Sequence, residues 1–132
     1  MQNIVILAGN IGRDPETRNV PGGNRVTNFT LATSRPRYSE GKVLRDGEGR
    51  RVQDTEWHRV IAFNGLGKTV QDYCQRGMKV LVRGRIHYTQ WTDAEGIERY
   101  GVEIIAETVD FLSRGKQAEA SQDSNDDDDI PF

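Results

Sequence analysis

Three side chains in the segment 55–63 have the chemistry to hold a flexible polyanion that carries flat rings. If this β-branched, apolar segment is a strand, its alternation places Trp57, Arg59 and Phe63 on one face and His58 on the other. Aromatic rings stack on nucleobases, and guanidinium groups contact phosphates, so this face suits single-stranded nucleic acid. A strand buried at a subunit interface or beneath a loop shows the same pattern. The segment alone leaves both interpretations open, and His58 is predicted to support packing or subunit contact.

Other parts of the chain favour the nucleic-acid interpretation. Trp91 has the same strand parity as the arginines of the segment 78–91, and Tyr38 lies in a basic segment just after Arg35 and Arg37. Each stacked base contributes about 1–3 kcal/mol whatever its identity, so such a surface binds without reading sequence. The predicted DNA contacts are Trp57, Phe63, Trp91, Tyr38, Arg59, Arg83, Arg85, Arg35 and Arg37.

Two kinds of catalytic or cofactor site are disfavoured by spacing. The segment 65–69 reads Gly-Leu-Gly-Lys-Thr, but a phosphate-binding loop needs an earlier glycine at the position that Ala62 occupies. His58 and His87 fall on separate predicted strands, and Cys74 is the single cysteine, so no pair has metal-ligand spacing. We therefore predict a protein without enzymatic activity, metal or cofactor.

The elements that must position these residues are five strands and one helix. The helix is predicted between the third and fourth strands, where apolar residues recur at helical spacing. This order predicts an all-β, five-stranded antiparallel barrel of the oligonucleotide-binding (OB) type. The predicted strands are 3–8, 25–33, 55–63, 78–91 and 98–109, and the helix is 65–76.

Some expectations about these elements can be tested directly. The continuous apolar run in the first strand predicts burial on both of its faces. The helix is expected to bury Val70 and Cys74 and to end with Arg76 in its last turn and Gly77 just past it. The polar segment 34–54 is either a functional loop or a hairpin that extends beyond the barrel.

Charge is distributed unevenly along the 132 residues, whose net charge is −2. Residues 1–116 carry 18 basic and 14 acidic side chains, a net charge of +4. Residues 117–132 carry no basic side chain and 6 acidic ones, a net charge of −6. The single cysteine indicates a reducing compartment. Because no apolar run approaches the ~20 residues of a membrane span and no basic region precedes the first apolar run, we expect a cytoplasmic, nucleoid-associated protein.

The acidic end has its own pattern. The segment 113–125 is polar without hydrophobic periodicity and is predicted to be a disordered linker after a domain spanning 1–112. Four aspartates then precede an apolar end, which favours capture by a partner protein over a purely solubilising role. The predicted partner-binding residues are Asp126, Asp127, Asp128, Asp129, Ile130, Pro131 and Phe132.

Four motifs resemble the bacterial single-stranded DNA-binding protein family: VILAGNIGRDPE at 5–16, TEWHRV at 55–60, WTD at 91–93 and DDDIPF at 127–132. The resemblance implies a homotetramer of such barrels that wraps single-stranded DNA and has no enzymatic activity. It implies stacking roles for Trp57, Phe63 and Trp91. It also implies that the acidic tip recruits replication, recombination and repair proteins. Two rival functions are a protein-interaction module on the same barrel and a nucleotide hydrolase.

Overall fold

Strands make up most of residues 1–113, which are the residues that the computed structural model describes. The predicted tip at 126–132, and all but the first residue of the predicted linker, lie outside them. The strands are β1 (Val5–Ile11), β2 (Glu16–Asn19), β3 (Arg25–Pro36), β4 (Tyr38–Ser39), β5 (Lys42–Val43), β6 (Gln53–Phe63), β7 (Lys79–Thr92) and β8 (Glu98–Phe111), and the helix α1 is Asn64–Tyr73.

The predicted OB-type barrel is confirmed. The main sheet has the order β1-β7-β8-β6-β3-β2, and β1 closes it by pairing Asn10 and Ile11 with β3. Five long strands form the barrel wall, and β2 adds a short extra strand beside β3. One pairing departs from the predicted antiparallel pattern, because β6 and β8 run parallel where Val60 lies level with Ile104.

The core follows from strand alternation. Phe29 and Leu31 on β3 face inward opposite Val60 and His58 on β6, and Val80 and Val82 on β7 complete the wall. These inward valines and Leu31 are fully buried. Full burial of one such side chain contributes about 1.5–3 kcal/mol, so this layer holds the barrel together.

Helix α1 covers one end of the barrel. Val70 and Cys74 are fully buried and Leu66 packs against the core, as the periodicity predicts. Gly67 lies so close to β3 that a Cβ there would come within 2.6 Å of Thr27 Oγ1. The Gly-Lys-Thr segment therefore begins a packed helix.

The predicted helix end at Arg76 is wrong, because α1 ends at Tyr73 and Cys74 is already extended. Gly77 donates its N–H to the Ile11 carbonyl at 2.7 Å, and its φ of 93° is a conformation that favours glycine. Arg76 donates its backbone N–H to the Asp14 carboxylate at 2.7 Å. These bonds to the end of β1 and the turn after it draw the chain out of the helix one turn early.

The predicted burial of both faces of the first strand is also wrong. Val5 and Leu7 pack against the core, but Ile4 and Ile6 are 57% and 61% exposed. A barrel wall has only one core-facing side, and nothing in a single copy of residues 1–113 covers the other side here.

The segment 34–54 is mostly a hairpin that extends beyond the barrel, so the hairpin alternative is correct. Strand β3 continues to Pro36, and the two-stranded β4–β5 hairpin follows it. Backbone hydrogen bonds join Arg37 to Val52 and Leu44, which lie across the base of this extension. An ordered arm therefore replaces the predicted loop.

Candidate nucleic-acid interface

Strand β6 presents aromatic and basic side chains on the outside of the barrel. Its unbroken register with β3 sets Trp57, Arg59 and Phe63 on the outward face and Val60 in the core, as alternation predicts. Trp57 is 65% exposed and Phe63 is 41% exposed. Ile61 shares this face but is only 7% exposed, so it forms an apolar floor between the exposed side chains.

The indole of Trp57 is held over a glycine. A Cβ on Gly12 would lie 3.2 Å from Cε3 of Trp57 and closer still to Cζ3. The same atom would lie 2.9 Å from Thr30 Oγ1, so the space beneath the ring is filled by the backbone of Gly12. One edge of the indole is thus supported, while most of its surface remains open to solvent.

Trp91 has a similar support on the β7–β8 hairpin. It lies opposite Arg99, and a Cβ on Gly101 would come within 3.2 Å of its Cζ3. Trp91 is 48% exposed. Asp93 shapes the turn that follows: its carboxylate accepts hydrogen bonds from the backbone of Ile97 and from Arg99, and these bonds lower the pKa of Asp93.

The arginines of β7 share the outward face with Trp91, as parity predicts. The hairpin contains a bulge, but the extra residue is Glu107 on β8, because Arg83 pairs with Thr108 and Gly84 with Ala106. Strand β7 itself keeps its alternation. Arg85 then lies level with Ile105 of β8, which in turn lies level with Ile61 of β6.

A groove of about 500 Å³ runs along the outside of the barrel beside β6. Phe63 and Ile61 supply its apolar part, and arginines and acids supply the rest. It is lined by Arg13, Asp14, Glu16, Arg18, Val26, Asn28, Phe29, Thr30, Arg59, Ile61, Phe63 and Glu103. We call it the β6 groove.

The predicted arginines differ in how free their charges are. Among residues 1–113, no carboxylate pairs with Arg59, Arg83 or Arg85, and all three are exposed. Arg37, by contrast, contacts Asp54 Oδ1 through Nε at 2.8 Å and through a terminal nitrogen at 2.7 Å. The hydrogen bond to Asp54 raises the pKa of Arg37, whose charge is therefore already shared.

The structure does not gather every predicted contact on one surface. Tyr38 is exposed on the β4–β5 hairpin, opposite Val43 and outside the β6 groove. Arg35 lies opposite Asp54 and, by strand alternation, on the face of β3 away from Trp57. Their roles in DNA binding stay predictions.

His58 lies on the core side of β6, half-buried, with Nε2 2.9 Å from Thr33 Oγ1. It lies opposite the fully buried Leu31 of β3. Its predicted role in subunit contact stays a prediction.

Residues of the disfavoured sites have structural roles. Lys68 binds the Asp72 carboxylate at 2.6 Å, and Thr69 Oγ1 donates to the Gly65 carbonyl at 3.1 Å. Within residues 1–113, no three His, Cys, Asp or Glu side chains form a group suited to a metal ion. In the same range, no helix is long and apolar enough to cross a membrane.

Sequence reasoning missed several residues of this surface. Arg13 and Arg18 line the β6 groove because the short strand β2 pairs with β3, and the polar stretch Glu16–Asn19 carries no strand pattern. Gly12 lies beneath Trp57 through a contact between distant segments, and Gly101 lies beside Trp91 through the register of the β7–β8 hairpin. The glycines of the segment 5–16 are visible in the sequence, but their spacing does not show which ring they support.

Comparison with known proteins agrees with this geometry. The sequence profile of the Single-strand binding protein family matches residues 2–112. The chain belongs to this family. The predicted family resemblance is confirmed.

Two relatives named single-stranded DNA-binding protein come from Xanthomonas species. The protein of Xanthomonas campestris pv. campestris is 37% identical over 110 residues, which are 83% of this chain and 60% of the relative. That of Xanthomonas axonopodis pv. citri is 36% identical over 110 residues, which are 83% and 57% of the two chains. The chain thus spans about three-fifths of the length of these relatives.

A solved structure shares the fold. The Plasmodium falciparum SSB in complex with ssDNA superposes with a TM-score of 0.73 at 24% identity. The superposition covers 86% of this chain and 97% of that one.

Proposed function

We propose that this protein binds single-stranded DNA without reading its sequence. The observation that carries the proposal is the outward face of β6, where the exposed, glycine-supported indole of Trp57 alternates with the unpaired Arg59 and with Phe63. Family membership and the names of the two Xanthomonas relatives support it.

Binding combines two physical effects. Bases stack on Trp57, Phe63 and Trp91, and each stacked base contributes about 1–3 kcal/mol. Arg59, Arg83 and Arg85 neutralise phosphates and release counterions, so the affinity falls as salt rises. Neither effect depends on which base is present to a first approximation, and a duplex hides the ring faces that the aromatics need. The chain therefore binds single strands in preference to duplex DNA.

The biological role that follows is protection of exposed single strands during replication, recombination and repair. No catalytic step is assigned to the protein. Through its acidic tip, residues 126–132, it recruits the proteins that act on the strand, because an acidic segment with an apolar end suits a basic pocket. The −6 charge of residues 117–132 repels the DNA strand, so DNA does not cover the partner-binding residues.

We also propose that the protein assembles as a homotetramer. A closed tetramer of dihedral symmetry needs at least two self-complementary interfaces. Two apolar surfaces outside the β6 groove fit this need: Ile6 on β1 with Ile4 just before it, and Tyr88 with Tyr100 on the hairpin face opposite Trp91. Within residues 1–113, β1 pairs with β3 only at its last two residues, so the remaining edge is open to another strand.

Titration of the full chain with single-stranded oligo-dT, followed by tryptophan fluorescence, tests the proposal. We expect quenching at low salt, a dissociation constant that rises with salt, and much weaker binding of a duplex of equal length. An interaction module without DNA affinity would show no quenching at low salt, and that result would contradict the proposal. Measurable ATP turnover would instead support the hydrolase.

A further inference from the structure

One half-buried carboxylate lines the β6 groove without a hydrogen-bond or ion-pair partner among residues 1–113. Glu103 on β8 lines the groove together with Arg59 and Phe63 and is half-buried. Glu103 pairs with His87 across the β7–β8 ladder, and the next residue lies level with Val60 of β6. Glu103 therefore lies between β7 and β6 on the outward face. Among residues 1–113 no hydrogen bond or ion pair reaches its side chain.

The other acids of the groove are different. Asp14 accepts the backbone N–H of Arg76 at 2.7 Å, so its carboxylate already has a structural task. Glu16 is exposed on the short strand β2, opposite Asn28. Arg13 and Arg18 also line the groove and offset the charge of these two acids. Glu103 is therefore the acid left to face a ligand on the β8 side.

A carboxylate selects among the parts of a DNA strand because it can only accept hydrogen bonds. The sugar–phosphate backbone of DNA offers it negative charge and acceptors, so Glu103 repels the backbone toward Arg59. The bases offer N–H donors. Cytosine, adenine and guanine carry exocyclic amino groups, whereas thymine has only its ring N–H, and acceptance from the cytosine amino group is a known pairing for Glu.

We infer that Glu103 gives the β6 groove a base preference, favouring a base with an exocyclic amino group, cytosine foremost, over thymine. The inference rests on the proposed function and refines it. Phe63 stacks on the face of any base, whereas Glu103 accepts a hydrogen bond only from a base whose edge offers a donor. The protein is then tolerant of sequence overall but not indifferent at this one position.

Equilibrium titrations of oligo-dC and oligo-dT of equal length test the inference in the full chain at one salt concentration. The variant is Glu103→Gln, which keeps the shape of the side chain but removes its charge and adds a donor that thymine oxygens can accept. The matched control is Asp110→Asn on the same strand, seven residues and about 23 Å away.

Both variants should bind both oligonucleotides somewhat more tightly, since each removes one negative charge. We expect Glu103→Gln to tighten oligo-dT at least threefold more than oligo-dC, and Asp110→Asn to tighten the two equally. The inference would be overturned if Glu103→Gln left the dT-to-dC affinity ratio unchanged, or if Asp110→Asn changed that ratio as much as Glu103→Gln does. Either result would leave the proposed function intact. Failure of the wild-type chain to bind either oligonucleotide would overturn both.

Discussion

Gly12 lies directly beneath the indole of Trp57, so close that a methyl group on its α-carbon would overlap the ring. Trp91 stands in a similar relation to Gly101 on the β7–β8 hairpin. In both places a backbone without a side chain supports an aromatic ring whose remaining surface faces solvent. A ring held in this way loses little conformational entropy when a base stacks on it. The entropy cost therefore offsets less of the stacking energy.

Replacement of Gly12 by alanine should weaken binding of oligo-dT by shifting the indole of Trp57 from its position. We expect a loss of about 0.5–2 kcal/mol, part of the ~1–3 kcal/mol that one stacked base contributes. Gly47→Ala is the matched control, because a Cβ there meets no atom within 4 Å and Gly47 lies in the distant arm. Equal affinities for the two variants in a fluorescence titration would show that Gly12 does not position Trp57.

Gly67→Ala should lower the free energy of unfolding by about 1–3 kcal/mol, because its Cβ would press on both the Thr27 side chain and the Ala62 carbonyl. Gly65→Ala is the control in the same helix: its Cβ meets open space, and alanine favours a helix over glycine by up to about 1 kcal/mol. Urea denaturation measures both. A Gly67→Ala variant as stable as wild type would contradict the packing of α1 on β3.

Ile6→Glu should lower the number of subunits in the oligomer, because it places a charge in the apolar patch of β1 that we assign to a subunit interface. Light scattering should give the mass of a tetramer for the wild-type chain and a smaller mass for the variant. The control is Glu95→Gln in the exposed hairpin turn, which should leave the mass unchanged. A wild-type monomer, or an Ile6→Glu tetramer, would refute the assignment of this interface.

Deletion of Pro131 and Phe132 should abolish the capture of replication and repair proteins by the immobilised chain. The affinity for oligo-dT should stay the same or rise slightly at low salt, because the acidic segment that competes for the basic face loses its anchor. Pull-down and fluorescence titration measure the two activities separately. Loss of DNA binding in this variant would refute the proposed division of labour between barrel and tip.

Much of the candidate site was predictable because β-strand alternation is strict. Parity alone placed Trp57, Arg59 and Phe63 on one face, and it correctly joined Arg83 to Trp91, since the bulge falls on β8. The barrel order followed from the sequence of apolar segments. These features depend on local pattern, which the chain carries explicitly.

Other features depend on which segments meet in space. The exposure of Ile4 and Ile6 could not be predicted from the continuous apolar run. Such a run fits a strand buried on both faces within one subunit, and it fits equally a strand whose second apolar face binds another subunit. The groove formed by Arg18 and Glu103 requires the pairings of β2 with β3 and of β6 with β8. Neither pairing can be predicted from the periodicity of the strands.

The affinity of Trp57→Ala for oligo-dT, compared with that of Trp57→Phe, tests the central claim most directly. The face of β6 binds bases if alanine weakens binding by about 1–3 kcal/mol, roughly 5- to 150-fold, while phenylalanine retains most of the affinity by stacking. Trp91 remains in both variants to report binding by fluorescence. Unchanged affinity in a folded Trp57→Ala protein would contradict the assignment of this face to single-stranded DNA.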